Sequence, residues 1–302
     1  MLSRWLTYQQ ERFSLVKTGL LVAVFSFAAI GYSFMLQGGT AERSVLQFLG
    51  LGFIAFINVA LFFLQLQVVD DLKDFKEDAI YRPHYPLPRG AISLEELKVF
   101  LIASGLVQLG LALSVGWPLV AMLGVIWGYI TLLVKDFFIF QGITNRPLVY
   151  LFCQAAIVPL VAVYTSLLAW IKTGSGCGQL GGFLAVSFFV GVVIQLRQKI
   201  RSPKEEKSET RPDSALWGTK RAVLIWLSVI WSMAIAALIA AAQIQFMVPI
   251  ALTLLFLLTA SVLTAWRFLV RPISKWANGL ALISELWIFL VYFHLGIVPV
   301  LF

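Results

Sequence analysis

Nine times along this chain the sequence runs for membrane-spanning length with almost no charge, over residues 14–37, 46–69, 94–114, 117–134, 147–170, 180–196, 219–242, 247–266 and 277–301. A helix needs about 20 apolar residues to cross the hydrocarbon of a bilayer. In lipid every backbone N–H and C=O must be paired within the protein, which leaves helices or closed barrels. Runs this long and unbroken choose helices, so the expectation is an all-α, polytopic membrane protein with nine spans. Of 302 residues 60% are hydrophobic and 13% charged, against about 45–50% apolar usage in soluble domains. The run at 117–134 is among the shortest. The opening MLSRWLTYQQERF leads into a run too long for a signal-peptide core and lacking a small-residue cleavage site, so the first helix is expected to be retained.

Lysine and arginine placement sets the expected orientation. Three of these residues precede or open the first run, five follow the second, two the fourth, eight the sixth and three the eighth. Only Arg43 and Lys172 fall on the other side. The N-terminus is therefore predicted to be cytoplasmic and the C-terminus to lie opposite. The net charge of +8 reads as this topology signal and as attraction to anionic headgroups of the lipid bilayer. It gives no support for nucleic acid. Two cysteines, Cys153 in an apolar run and Cys177 in a glycine-rich loop, make no disulfide framework. No nucleotide fingerprint, zinc-ligand spacing or Ser/His/Asp arrangement is present.

The chemistry concentrates in Gln67–Gly90, QVVDDLKDFKEDAIYRPHYPLPRG. Here the second apolar run acquires Asp70, Asp71, Asp74 and Asp78 without a break. Continued as a helix, these four and Gln67 fall within an arc of about 100°. Like charges at i,i+4 repel, and the C-terminal end of a helix already carries negative partial charge. A cation is needed. Mg²⁺ suits all-oxygen ligands, uses one or two carboxylates, and completes its shell with water and substrate phosphate. The pattern thus points to a phosphate-bearing substrate. The plainer reading is a solvated acidic helix end with Lys73 and Lys76 as partners. Three prolines and a glycine in Arg82-Pro83-His84-Tyr85-Pro86-Leu87-Pro88-Arg89-Gly90 then forbid regular helix and make a rigid basic turn.

This order resembles the UbiA-type intramembrane prenyltransferases, whose first motif has the form N-D-x-x-D-x-x-x-D followed by R-P-L-P-S-G. Asp70-Asp71-x-x-Asp74-x-x-x-Asp78 matches with Asp70 in the Asn place, and Tyr85-Pro86-Leu87-Pro88-Arg89-Gly90 matches with Tyr85 for Arg and Arg89 for Ser. The resemblance implies one domain over residues 1–302, nine helices around a central chamber, and cytoplasmic cap loops at about 70–93 and 197–218. It implies Mg²⁺ on Asp70, Asp71, Asp74 and Asp78, with Lys73, Arg82, Arg89 and Lys199 supporting a bound polyprenyl diphosphate. Ionisation of that donor would give an allylic cation, attacked by an aromatic or other lipophilic acceptor.

The family's second motif, D-x-x-x-D, falls where this sequence reads Gln195-x-x-x-Lys199. Lysine repels a metal and glutamine is only a neutral donor. Lys199 suits a diphosphate that a second metal would otherwise neutralise, and Arg197 or Arg201 is placed to help. The same cations also serve the positive-inside rule. Glu205 and Glu206 read as loop acids or as displaced ligands. Glu285 lies about 15 Å along the last run from Lys275 and is either a group that binds an acceptor hydroxyl or takes its proton, or a packing residue. His294 reads as a satisfied polar side chain. Asn58 and Gln65 share a face that could line a cavity or bond a neighbouring helix. The segment KDFFIFQGITNRP reads as an interfacial anchor or a rim for diphosphate or lipid. The degenerate second motif keeps two further readings open: transfer from another diphosphate donor to a lipid, and a non-catalytic protein that binds quinone, pigment or lipid. A cation transporter would need acids deep in several helices, and only Glu285 is plainly so placed.

Overall fold

A computed structural model describes residues 2–12, 15–38, 45–134, 147–171, 179–200 and 218–301. The described residues are helical throughout their regular structure: α1 (Leu2–Arg12), α2 (Leu15–Leu36), α3 (Val45–Tyr81), α4 (Leu94–Val115), α5 (Trp117–Val134), α6 (Pro147–Ala155), α7 (Ile157–Trp170), α8 (Gly181–Lys199), α9 (Thr219–Gln243), α10 (Met247–Val270) and α11 (Ser274–Tyr292). A π-helical turn, Phe293–Ile297, continues α11 into α12 (Val298–Leu301).

Eight helical stretches are long and apolar enough to cross a membrane, α6 with α7 and α11 with its continuation each counting as one. The expected span at 180–196 is represented by a shorter apolar helix, Gly181–Arg197. At about 1.5 Å per residue these 17 residues reach about 25 Å. The chain is an integral, multi-pass membrane protein.

The helices divide by burial. In α2, Ala28, Ala29, Ile30, Tyr32 and Phe34 are all shut away, since α3, α7, α11 and the π turn pack around it. The closest approach is made without side chains. A Cβ on Gly296 would overlap the carbonyl of Ala28, and one on Gly31 would overlap the carbonyl of Gly296. Small residues let backbones meet this way where lipid gives no hydrophobic drive for helix association. By contrast α4 and α10 turn Ile102, Leu106, Leu252, Leu255 and Phe256 outward. In water that surface would be a liability, and in hydrocarbon it is the solvent-facing one.

Polar side chains bridge the helices. Trp226 Nε1 donates to Ser284 Oγ at 2.9 Å, Trp287 Nε1 to Ser261 Oγ at 2.7 Å, and Tyr32 Oη to Gln243 Oε1 at 2.7 Å. His294 is satisfied as expected, with Nδ1 2.9 Å from the Leu290 carbonyl oxygen and Nε2 3.4 Å from Thr253 Oγ1. Gly116 alone separates α4 from α5, and a capping box starts α4. There Glu96 N donates to Ser93 Oγ at 3.1 Å and Ser93 N to Glu96 Oε2 at 2.7 Å.

Candidate functional site

The acidic stretch is the last third of α3, which runs unbroken through Asp78 to Tyr81 before Pro83. No proline or glycine interrupts it, so the carboxylates are carried on a rigid rod. They do not share one environment. Asp71 and Asp78, seven residues apart, are buried at 3% and 8% exposure, whereas Asp70 and Asp74, four apart, are exposed. At 100° per residue the two pairs are centred about 70° from each other. The arc predicted from sequence is real, but it is wide enough to meet two different neighbours.

The neighbour of the buried pair is α1. Tyr8 Oη donates to Asp71 Oδ2 at 2.5 Å, and Arg12 forks onto the same carboxylate, Nε to Oδ1 at 3.0 Å with Nη2 on Oδ1 as well. Gln67 Nε2 adds a third donor at 3.0 Å. Burial and then the Asp71 charge push the Tyr8 hydroxyl well above the usual phenol range, so it stays a donor. Burial would lower Arg12, but its hydrogen bonds to Asp71 and the attraction of that carboxylate outweigh the loss and hold it above its ordinary value. Behind this polar contact Tyr8, Val68, Leu87, Ile92 and Leu97 form a small second core, with Trp5 and Phe100 packed on it.

The proline turn closes over the same corner. Arg82 lies 3.6 Å from Asp78. Arg89 pairs with Glu11 of α1 at 2.8 Å and donates to the His84 carbonyl at 3.3 Å. Tyr85 stands in the first position of the R-P-L-P-S-G pattern. Its ring takes the guanidinium of Arg12 at 4.5 Å from the centroid and that of Arg82 at 5.5 Å, a cation–π arrangement. The turn has lost an arginine, and Arg12 from a remote helix stands against its replacement. Sequence reading missed Tyr8 and Arg12. The signal was their spacing with Trp5, which puts the three on one face of a short helix.

Among the described residues no three His, Cys, Asp or Glu side chains gather to hold a metal. The expected four-carboxylate cluster is therefore not a preformed cage, since Asp71 is turned to Arg12 and Asp78 to Arg82. The donor set nonetheless fits Mg²⁺, which is held through one or two carboxylates with water and phosphate completing the shell. Asp70 and Asp74 offer two on successive turns of the exposed flank.

The second corner is the C-terminal end of α8. Arg197 Nη1 donates to Glu285 Oε1 of α11 at 2.6 Å. Glu285 was expected either to meet an acceptor hydroxyl or to serve in packing. Its carboxylate is instead committed to Arg197, because two half-buried opposite charges in an apolar bundle find each other before either finds a ligand. Gln195 is half-buried one turn nearer the apolar part of α8. The side chain of Lys199, the residues 201–217 with Arg201, Lys204, Glu205 and Glu206, and the segment 135–146 lie outside the described residues. Lys73 is partly buried on α3, about 60° around the helix from Asp70 and outside the acidic arc.

A sequence model of the UbiA prenyltransferase family matches residues 23–289. The chain belongs to that family. Solved structures agree in fold. A UbiA homologue from Aeropyrum pernix K1 is 12% identical with a TM-score of 0.67, covering 90% of this chain and 96% of that one. A digeranylgeranylglyceryl phosphate synthase structure is 15% identical with a TM-score of 0.62, covering 99% of this chain and 100% of that one. A UbiA homologue from Archaeoglobus fulgidus bound to GPP and Mg²⁺ is 14% identical with a TM-score of 0.54, covering 95% of this chain and 99% of that one. No curated protein sequence matches the chain.

Proposed function

We propose that this UbiA protein, a single domain over residues 1–302, is a Mg²⁺-dependent intramembrane transferase. It moves a prenyl group from a polyprenyl diphosphate to an aromatic or other lipophilic acceptor. The observation that carries this reading is the juxtaposition at the end of α3: an exposed pair of carboxylates, Asp70 and Asp74, beside a corner into which Arg12, Arg82 and Arg89 converge. Family membership and the GPP and Mg²⁺ in a relative of the same fold support the substrate class.

Asp70 and Asp74 would hold the metal, with Asp71 and Asp78 setting the charge behind them. Bound Mg²⁺ neutralises charge that develops on the diphosphate leaving group. Lys73, within the acidic stretch of α3, and Arg82, just past its end, would donate hydrogen bonds to phosphate oxygens. Arg12 and Tyr8 keep Asp71 desolvated and oriented, so that the acidic flank is rigid before substrate arrives. At the other corner, Gln195 and Lys199 would receive the far end of the diphosphate while Arg197, held by Glu285, fixes the end of α8. The apolar bundle keeps water from an allylic cation. The N-terminus and both corners are assigned to the cytoplasmic side.

The test is release of diphosphate from labelled geranylgeranyl diphosphate by purified protein with lipid extract as acceptor source, with and without Mg²⁺, for wild type and Asp74→Ala. Metal-dependent release that disappears in the variant is the expected result. Release that ignores Mg²⁺ or survives in the variant overturns the assignment.

A further inference from the structure

On the side of α3 opposite the carboxylates, a groove of about 360 Å³ runs between α3, α4 and α5. Its wall is Leu101, Gly105, Leu109, Trp127 and Ile130, and its inner end is Gln65. Asp74 is nine residues further along α3, half a rotation away and about 13 Å along the axis at 1.5 Å per residue. The groove is thus separate from the acidic corner.

Gln65 is 4% exposed, and its two ends are treated differently. Nε2 donates to Ser104 Oγ and to Gln108 Oε1, both at 2.9 Å. Oε1 is buried without a hydrogen-bond partner. Turning the amide over does not cure this, because the direction of the network is fixed from its far end. Gln108 Nε2 donates at 3.2 Å to the main-chain carbonyl of Asn58, a group that can only accept. Gln108 must therefore present its oxygen to Gln65, and Gln65 must present its nitrogen to Gln108. The Ser104 hydroxyl donates to the Leu101 carbonyl at 3.0 Å, so it too offers Gln65 only an acceptor. The chain of amides ends on one orphan oxygen, buried on the residue that lines the inner end of the groove. Packing between α3 and α4 accounts for Nε2 and leaves Oε1 unexplained.

In hydrocarbon no bulk water supplies the missing donor. We propose that the α3–α4–α5 groove binds an uncharged lipid carrying a hydroxyl group, with the hydroxyl donating to Gln65 Oε1 and the apolar chain lying along α4 toward Leu109. The chemistry follows from the lining. Among the described residues no charged side chain lines the groove, which disfavours a phosphate or carboxylate head, and a carbonyl-only or ether lipid has no donor to give. The outward faces of Ile102 and Leu106 flank the groove, so the chain enters sideways from the bilayer.

The test uses diazirine-tagged hexadecanol and its methyl ether, which differ only in the donor, in phosphatidylcholine nanodiscs containing the full chain. Crosslinks are mapped by mass spectrometry. The alcohol is expected to label α4 and α5 about tenfold more than the ether, the worth of one well-made hydrogen bond. That preference should vanish in Gln65→Met, and labelling of the groove by either probe should fall in Gly105→Phe, which fills it from beside Trp127. Equal labelling by the two probes means ordinary lipid contact and overturns the proposal. So does a preference that persists in Gln65→Met. The comparison of probes on the wild-type protein decides the matter even where a variant does not fold.

Discussion

The C-terminal ends of α3 and α8 solve opposite electrostatic problems with the same device. At the end of α3 the helix carries too many carboxylates, and cations come from elsewhere: Arg12 from α1 to Asp71, and Arg82 from the proline turn to Asp78. At the end of α8 the helix carries Arg197, and the carboxylate comes from Glu285 on α11. Each corner is neutralised by a helix remote in sequence, so each corner also fixes that helix. The difference lies in what is left over. Pairing at α8 ties Arg197 to Glu285, while at α3 Asp71 and Asp78 are buried against their arginines and Asp70 and Asp74 stand on the exposed flank. One corner is a joint, and the other is a joint with an exposed acidic face, the face proposed to hold the metal.

That distinction can be broken most directly by removing the face. Replacing Asp70 and Asp74 together by Asn is expected to lower Mg²⁺-dependent diphosphate release by about 10²–10³-fold, the scale of losing a preorganised electrostatic group. Thermal unfolding should barely move. Asp71→Asn should behave in the opposite sense, with its first effect on the docking of α1. If Asp71→Asn and the double variant have the same profile, the division of the arc into a structural and a ligand pair is wrong.

The joint at α8 gives the next effect. Arg197→Ala leaves Glu285 half-buried among apolar helices. Discounted for its partial exposure, that loss is about 1–3 kcal/mol, read as a lower melting temperature in detergent. The exchange Arg197→Glu with Glu285→Arg should recover much of it. Failure of the exchange, with a release defect as deep as that of the Asp70/Asp74 variant, would make Arg197 a substrate group and erase the contrast between the corners.

Arg12→Ala tests the same device at α3. About 1–2 kcal/mol is expected for a charge-assisted hydrogen bond to a buried carboxylate. Because α1 is peripheral, the loss should appear as local opening. Hydrogen exchange should rise over residues 2–12, with little change in α2 or α7. Tyr8→Phe should follow the same pattern at about 1 kcal/mol.

These partners show where sequence reading stops. The spans were legible because a bilayer demands runs of a given length, and the acidic arc was legible because a helix has a fixed rotation per residue. Periodicity says which residues share a face and nothing about what approaches it. Arg12 and Asp71 are 59 positions apart, Arg197 and Glu285 are 88 apart, and no local pattern links them. The arc was read as one metal cluster, and its two flanks meet different neighbours; Glu285 was read as a group for an acceptor hydroxyl or as a packing residue, and it pairs with Arg197. Gln65 was singled out by its polarity in an apolar run. Its orphan oxygen emerges only from the order of donors and acceptors across two helices.

The smallest effects separate the two corners by how their loops enter the next helix. Ser93 begins α4 in extended backbone, φ −94° and ψ 156°, with both bonds of a capping box, and Ser93→Ala should cost about 1 kcal/mol. Gly218 begins α9 at φ 67° with no side-chain cap. On cap preference alone Gly218→Ser would gain a few tenths of a kcal/mol. A side chain in that left-handed backbone costs about 1–2 kcal/mol, so the substitution should destabilise despite supplying a better capping residue. A stabilised Gly218→Ser protein would mean that the backbone before α9 readily leaves the left-handed region, and that entry into α9 is set as loosely as entry into α4 is set tightly.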